Sequence, residues 1–176
     1  MKRFYIIDFL GYFGPQLLFF LTLYLLYSTK TYLIVYIIAI ILNSLLNFII
    51  KGIIKQPRPK EDLDVFNPEK KHSARIASDI YGMPSGHSQH VFLSTTYIYL
   101  VLRNINLTLF YFLFSLLTLI QRVRYRNHTI KQVIVGGSIG AFIAYIAYTY
   151  ATNNLVGKLD TKPDDNAKEV TDGFSD

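Results

Sequence analysis

The chain has 176 residues, is 51% hydrophobic, contains no cysteine and carries a formal net charge of +6. That length predicts one domain, and the missing cysteine excludes disulfides, zinc thiolates and a cysteine nucleophile. The basic residues border long apolar runs, so anionic lipid heads or a phosphorylated substrate are the expected partners, not nucleic acid.

Five runs, residues 4–28, 32–50, 86–102, 105–120 and 133–151, hold almost no charge, with Asp8 the exception. A spanning helix needs about 20 apolar residues, with a range of roughly 17–25. Five such runs cannot share one small soluble core. The expected fold is therefore all-α, a polytopic transmembrane helical bundle with about five spanning helices.

The first run holds Gly11-x-x-Gly14-Pro15 and no small-residue cleavage site after Ser28. It reads as a retained helix rather than a signal peptide, with residues 4–10 at the interface and the span starting near Tyr12. After the second run, residues 51–85 form a polar stretch with Pro57, Pro59, Pro68 and Pro84. These prolines argue against one continuous helix. Alternating spans put the amino terminus, residues 51–85 and residues 121–132 on one membrane face. In the fifth run Gly136, Gly140 and Ala144 form a small-residue stripe that lets another helix approach closely; packing within the chain is the expected use. Residues 1–151 are expected to form the membrane domain. Residues 152–176 are polar and too poor in apolar side chains to offset chain entropy, so a disordered tail is expected.

Three short strings at run ends carry the chemistry: Lys51-x6-Arg58-Pro59, Pro84-Ser85-Gly86-His87 and Arg122-x5-His128. Cleavage of phosphate esters and anhydrides builds charge on oxygen, and catalysis is largely positioning plus electrostatics. Lys51, Arg58 and Arg122 supply a positive field, with the arginines adding a planar bidentate fork. Ser85 is a good helix N-cap, Gly86 lets a ligand approach the backbone, and amides at a helix start bind anions. His87 is placed to give a proton to a leaving oxygen, and His128 to attack phosphorus and form a phosphohistidine.

Each has a plainer reading alone. Lys51 could snorkel at a helix end, the cluster Arg122, Arg124 and Arg126 could anchor lipid heads, Ser85 could merely cap a helix, and a lone histidine is commonly structural. The set decides for phosphate chemistry. A metal site would need carboxylates or a third ligand beside His87 and His90, which lie at i, i+3; the pattern offers neither, so no metal or other cofactor is expected. His90 and His72 read as supporting and loop residues.

These strings resemble the type 2 phosphatidic acid phosphatase superfamily, whose pattern is K-x6-RP, PSGH and SR-x5-H-x3-D. The resemblance runs from Lys51 to Gln132 and implies His128 as nucleophile, His87 as general acid, and Lys51, Arg58, Ser85, Gly86 and Arg122 as the phosphate cradle. Two positions depart from the pattern: Gln121 replaces the serine, and Gln132 replaces the aspartate that orients the nucleophile. The Gln132 carbonyl is expected to accept the His128 N–H in its place. His128-Thr-x-x-Gln132-Val, Lys55-Gln56-Pro57-Arg58-Pro59 and Tyr81-Gly82-Met83-Pro84-Ser85-Gly86-His87-Ser88-Gln89 are similar to the dolichyldiphosphatase branch, which usually has serine where Gly86 stands. This branch implies removal of one phosphate from dolichyl diphosphate. Undecaprenyl diphosphate, phosphatidate or a sphingoid phosphate are the alternative substrates, and a silent membrane scaffold that kept the pocket is the alternative outside catalysis. The short spans suit a thin bilayer such as the endoplasmic reticulum, the expected location in a eukaryote. The positive-inside rule would put the motif face in the cytoplasm, whereas the resemblance implies a lumenal face.

Overall fold

The computed structural model describes residues 6–59 and 77–156. Among the described residues six α-helices follow in order: α1 (Ile6–Tyr12), α2 (Gly14–Leu25), α3 (Lys30–Ile54), α4 (Gly86–Leu102), α5 (Ile105–Arg124) and α6 (Ile130–Tyr150). A 3-10 turn (Ala77–Ile80) precedes α4, and α6 runs on into a π turn (Ala151–Leu155). The all-helical bundle expected from the apolar runs is what forms, with no strand among the described residues. The first residues of the expected polar tail continue α6 as a helical turn to Leu155; residues 157–176, and His72 in the polar stretch, lie outside the described residues.

Among the described residues, three helices are by length and composition able to cross a membrane: Lys30–Ile54, Ile105–Arg124 and Ile130–Leu155. Two of the five apolar runs take particular forms. The first run is cut at Phe13, because Pro15 in the first turn of α2 lacks an amide and its ring crowds the carbonyl four residues back. This leaves α2 with 12 residues. The run 86–102 becomes α4, whose 17 residues form the centre of the bundle, with α2, α3, α5 and α6 packed around it. Val91, Leu93, Tyr97 and Ile98 on α4 are fully enclosed, while Ile34, Ile38, Ile41, Leu42, Leu45 and Ile49 on α3 point outward. Such a large apolar outer face suits lipid as the surrounding solvent.

Close approach of α4 and α6 sets the floor of the site. A Cβ on Gly136 would stand 2.4 Å from the Ser85 carbonyl oxygen, and one on Gly140 would stand 2.0 Å from that of Gln89. The small-residue stripe is therefore an intramolecular seam, as expected. On the other side, α3 buries Tyr36, Ala39, Asn43, Asn47 and Lys51, spaced three or four residues apart on one face. That face carries a polar ladder into α4. Gln89 donates to Asn43 Oδ1 (2.6 Å) and accepts from Asn47 Nδ2 (2.7 Å). Asn47 also donates to the Pro84 carbonyl at 3.3 Å. Amide pairing of this kind satisfies polar groups that neither lipid nor an apolar core would solvate.

Candidate active site

The strings meet at one end of the bundle because each helix terminus aims its motif residue at the same point. Lys51 ends the buried face of α3 and is only 3% exposed. Arg58 follows four residues after Ile54, beyond the left-handed Lys55 (φ 49°) that turns the chain back. Arg122 lies in the last turn of α5, and the chain after it folds onto its carbonyl: the Asn127 and His128 amides both donate to Arg122 O, at 3.0 and 3.2 Å. Residues 122 and 128 are thus fixed together by backbone.

His128 is 2% exposed, and its two ring nitrogens have distinct partners. Nδ1 lies 2.8 Å from the Gly82 carbonyl and Nε2 lies 3.0 Å from Arg58 Nη1. A carbonyl only accepts and a guanidinium only donates. The imidazole is therefore neutral with the proton on Nδ1 and a lone pair on Nε2. Its pKa is held well below the ordinary histidine value, mainly by burial and then by the charges of Arg58, Arg122 and Lys51; the Gly82 bond opposes this only in part.

Arg58 is fixed from three directions. Nη1 also donates to the Asn127 carbonyl (3.2 Å), and Nη2 donates to the carbonyl of Asp79 (2.8 Å) and to its carboxylate (3.3 Å). The same carboxylate oxygen pairs closely with Lys51 Nζ. Asp79 belongs to none of the three strings; the 3-10 turn just before Pro84-Ser85 carries it to Lys51 and Arg58.

At the start of α4, His87 and Gly86 face the cavity. His90, which also lines the cavity, is held by the Gly86 carbonyl at Nδ1 (2.8 Å) and Ser44 Oγ at Nε2 (3.0 Å). His87 Nε2 is buried and makes no hydrogen bond among the described residues. Ser85 does not reach the cavity wall. It is buried beneath Gly86, its amide donating to Gln132 O (3.1 Å) and its Oγ accepting from Ser88 Oγ (3.1 Å).

Gln132 is not the partner of His128, contrary to the sequence-based expectation; Gly82 O takes that bond. The Gln132 side chain turns toward the helix start and the loop instead. Oε1 accepts from the Thr129 amide (3.1 Å) while Thr129 Oγ1 accepts from the Gln132 amide (3.2 Å), a reciprocal capping box. Nε2 donates to Gln56 Oε1 (3.2 Å) and to the Pro57 carbonyl (3.0 Å). A Cβ on Gly82 would lie 2.6 Å from the Gln132 amide. Gln132 thus backs the two segments that carry Arg58 and the Gly82 carbonyl.

The cavity measures about 380 Å³. Lys51, Arg58, Asp79, Gly86, His87, His90, Arg122 and His128 line it together with Gln16 and Asn47, and Pro15, Phe19 and Ile40 add apolar wall. Ile40 lies eleven residues before Lys51 on α3, roughly 16 Å at 1.5 Å per residue. Such a space fits an anionic head with the first part of an apolar chain. No three His, Asp or Glu side chains converge on a metal-sized point among the described residues.

The PAP2 superfamily model matches residues 32–155. The chain is also similar to a dolichyldiphosphatase of Saccharomyces cerevisiae, 38% identical over 103 residues, which cover 53% of this chain and 41% of that protein. The chain thus matches about two fifths of that relative's length. No solved structure matches.

Proposed function

The chain belongs to the PAP2 superfamily, and from that premise we propose that it is a metal-independent membrane lipid phosphatase acting on a polyprenyl diphosphate. In a eukaryote the substrate is dolichyl diphosphate and the location the endoplasmic reticulum membrane. The observation that carries this reading is the pair Arg58 Nη1–His128 Nε2 at 3.0 Å: a nucleophilic lone pair and a phosphate-binding cation share one spot on the cavity wall.

The terminal phosphate sits among Lys51, Arg58 and Arg122 and draws the Arg58 donor from His128 to its own oxygen. His128 Nε2 then attacks phosphorus, and the bond to the bridging oxygen breaks as His87 protonates the departing dolichyl phosphate. In the second step His87, now neutral, takes a proton from water; the water oxygen attacks phosphorus and the P–N bond breaks. Charge building on the equatorial oxygens is met by the three cations in a site shielded from bulk water. The apolar end of the cavity accepts the first isoprene units. The similarity to a dolichyldiphosphatase favours the diphosphate over other lipid phosphates.

Phosphate release from dolichyl diphosphate, undecaprenyl diphosphate, phosphatidate and a sphingoid phosphate, measured side by side on purified protein, tests this. Expected are fastest turnover of dolichyl diphosphate, persistence in excess EDTA, inhibition by vanadate, and loss of turnover in His128→Ala. Activity abolished by chelation and restored by Mg2+ would refute the metal-free mechanism.

A further inference from the structure

The family match begins at residue 32, yet α1 and α2 lie before it and both reach the site. Three features dock α1 on the end of α5. Asp8 is buried, with Oδ1 3.3 Å from Arg124 Nη1. Gly11 lies so close to α5 that a Cβ would stand 2.7 Å from Gln121 Cβ and 2.8 Å from the Leu117 carbonyl oxygen. Gly14, at the head of α2, would place a Cβ 2.0 Å from Thr118 Oγ1. The glycine pair of the first apolar run thus has a local purpose: it lets α1 and the start of α2 lie directly on the last turns of α5.

This docking delivers Tyr12 to the catalytic groups. Its ring centroid is 5.7 Å from that of His87, with the planes inclined by 50°. Arg122 Cζ stands 5.6 Å from the Tyr12 centroid, over the ring, a geometry in which the ring quadrupole attracts the guanidinium. One aromatic side chain therefore touches both the proton donor and a phosphate-binding cation. The three histidines of the site differ in what holds them. His128 and His90 each have a partner on both ring nitrogens. His87 Nε2 has none among the described residues, so packing orients its ring, and the Tyr12 ring lies against it.

We propose that Tyr12 is a positioning residue for the reaction, an aromatic plate outside the family-matched segment that holds His87 toward the leaving oxygen and spaces it from Arg122. The effect comes from the ring and not the hydroxyl. This inference rests on His87 being the general acid, as proposed above.

The test compares Tyr12→Phe, Tyr12→Leu and Tyr12→Ala with the unaltered protein on farnesyl diphosphate, whose leaving group profits from a proton, and on p-nitrophenyl phosphate, whose leaving group needs none. Tyr12→Phe is expected to stay within about twofold on both, whereas the Leu and Ala variants lose about tenfold in kcat on farnesyl diphosphate and less than about threefold on p-nitrophenyl phosphate, the pattern of impaired general-acid catalysis. Nitrogen NMR of the His87 ring in histidine-labelled protein gives a readout that does not need turnover; its signal is expected to shift or broaden in Tyr12→Leu and to stay in place in Tyr12→Phe. An unmoved His87 signal in Tyr12→Leu overturns the proposal, as does equal loss on both substrates or a Phe variant as impaired as the Leu variant. A moved ring signal in a protein that turns over neither substrate would sustain the positioning while refuting the phosphatase reading.

Discussion

Arg58 Nη1 stands 3.0 Å from His128 Nε2, and since a guanidinium only donates, the imidazole nitrogen on the cavity side must hold a lone pair. The bond from Nδ1 to Gly82 O fixes the same tautomer from behind. One contact thus defines the protonation state of His128 and the place where a bound anion would compete for the guanidinium.

Acidity follows from this pair. Burial and the nearby cations lower the His128 pKa well below its ordinary 6.5, so the neutral, nucleophilic form persists into acid. The acid limb of kcat/KM for this group is expected below pH 6.5, and Arg58→Met should move it upward by removing the largest of the opposing charges. The sign for stability is the matching one: below about pH 6.5 the unfolded chain binds a proton that the folded one refuses, so stability falls with acidification. Rate profiles of the two proteins, with thermal unfolding in detergent across the same range, check both. A limb that stays in place in Arg58→Met would show that this charge does not act on His128.

Gln132 works through the loop. Its Nε2 donates to Gln56 Oε1 and Pro57 O, bonds that a carboxylate cannot make. Gln132→Glu and Gln132→Leu are both expected to lose activity, on a scale of about 10–100-fold by analogy with supporting residues of metal sites, and Glu should retain more because it still accepts from the Thr129 amide. Asp, the broader family's residue, likewise has no N–H to donate to Gln56 or Pro57 and should be impaired as well. Steady-state rates and vanadate inhibition of the three variants decide. Full activity in Gln132→Asp would mean that the loop bonds are dispensable.

Asp79 partly neutralises the cradle by pairing with Lys51 and Arg58. Asp79→Asn keeps the backbone acceptor of Arg58 but removes a negative charge from the anion site. Vanadate should then bind several-fold tighter, on the order of 1 kcal/mol for one partly exposed charge, while kcat falls because Lys51 and Arg58 lose their common anchor. The tightening should shrink as salt rises. Weaker vanadate binding in Asp79→Asn would show instead that the carboxylate preorganises the cradle more than it competes with the ligand.

Two glycines on α6 should tolerate no side chain, and one on α4 should. Gly136→Ala and Gly140→Ala would drive a Cβ into the Ser85 and Gln89 carbonyls. Overpacking of this kind costs about 1–3 kcal/mol, and at residue 136 it also displaces the turn that bears His87. At Gly86 the nearest atom to a Cβ is Asn47 Oδ1, at 3.4 Å, close enough for a serine hydroxyl to pair with it. Gly86→Ser is expected to keep most activity, with both α6 variants melting lower and turning over slowly. Melting temperature and phosphate release on the three proteins test the contrast.

Much of this was written in the order of residues. Apolar runs broken by polar strings dictate helices, because a backbone in lipid must bond within its own segment. The strings themselves name Lys51, Arg58, His87, Arg122 and His128 by residue type and spacing, and all of them line one cavity. Pro15 even marks where the first run breaks. The rest depended on tertiary structure, because it involves groups that carry no side-chain signature or lie far away in the chain. The His128 acceptor is a main-chain carbonyl at Gly82, which any residue could supply. Asp79 and Tyr12 look like ordinary loop and interface residues until a 3-10 turn and a docked α1 bring them within reach of the cradle. Gln132 has the right spacing for His128, one turn along a helix, but the capping box turns its amide away. Helical periodicity is local and survives in sequence; which of several acceptors a side chain finally meets is settled only by the packing of distant segments.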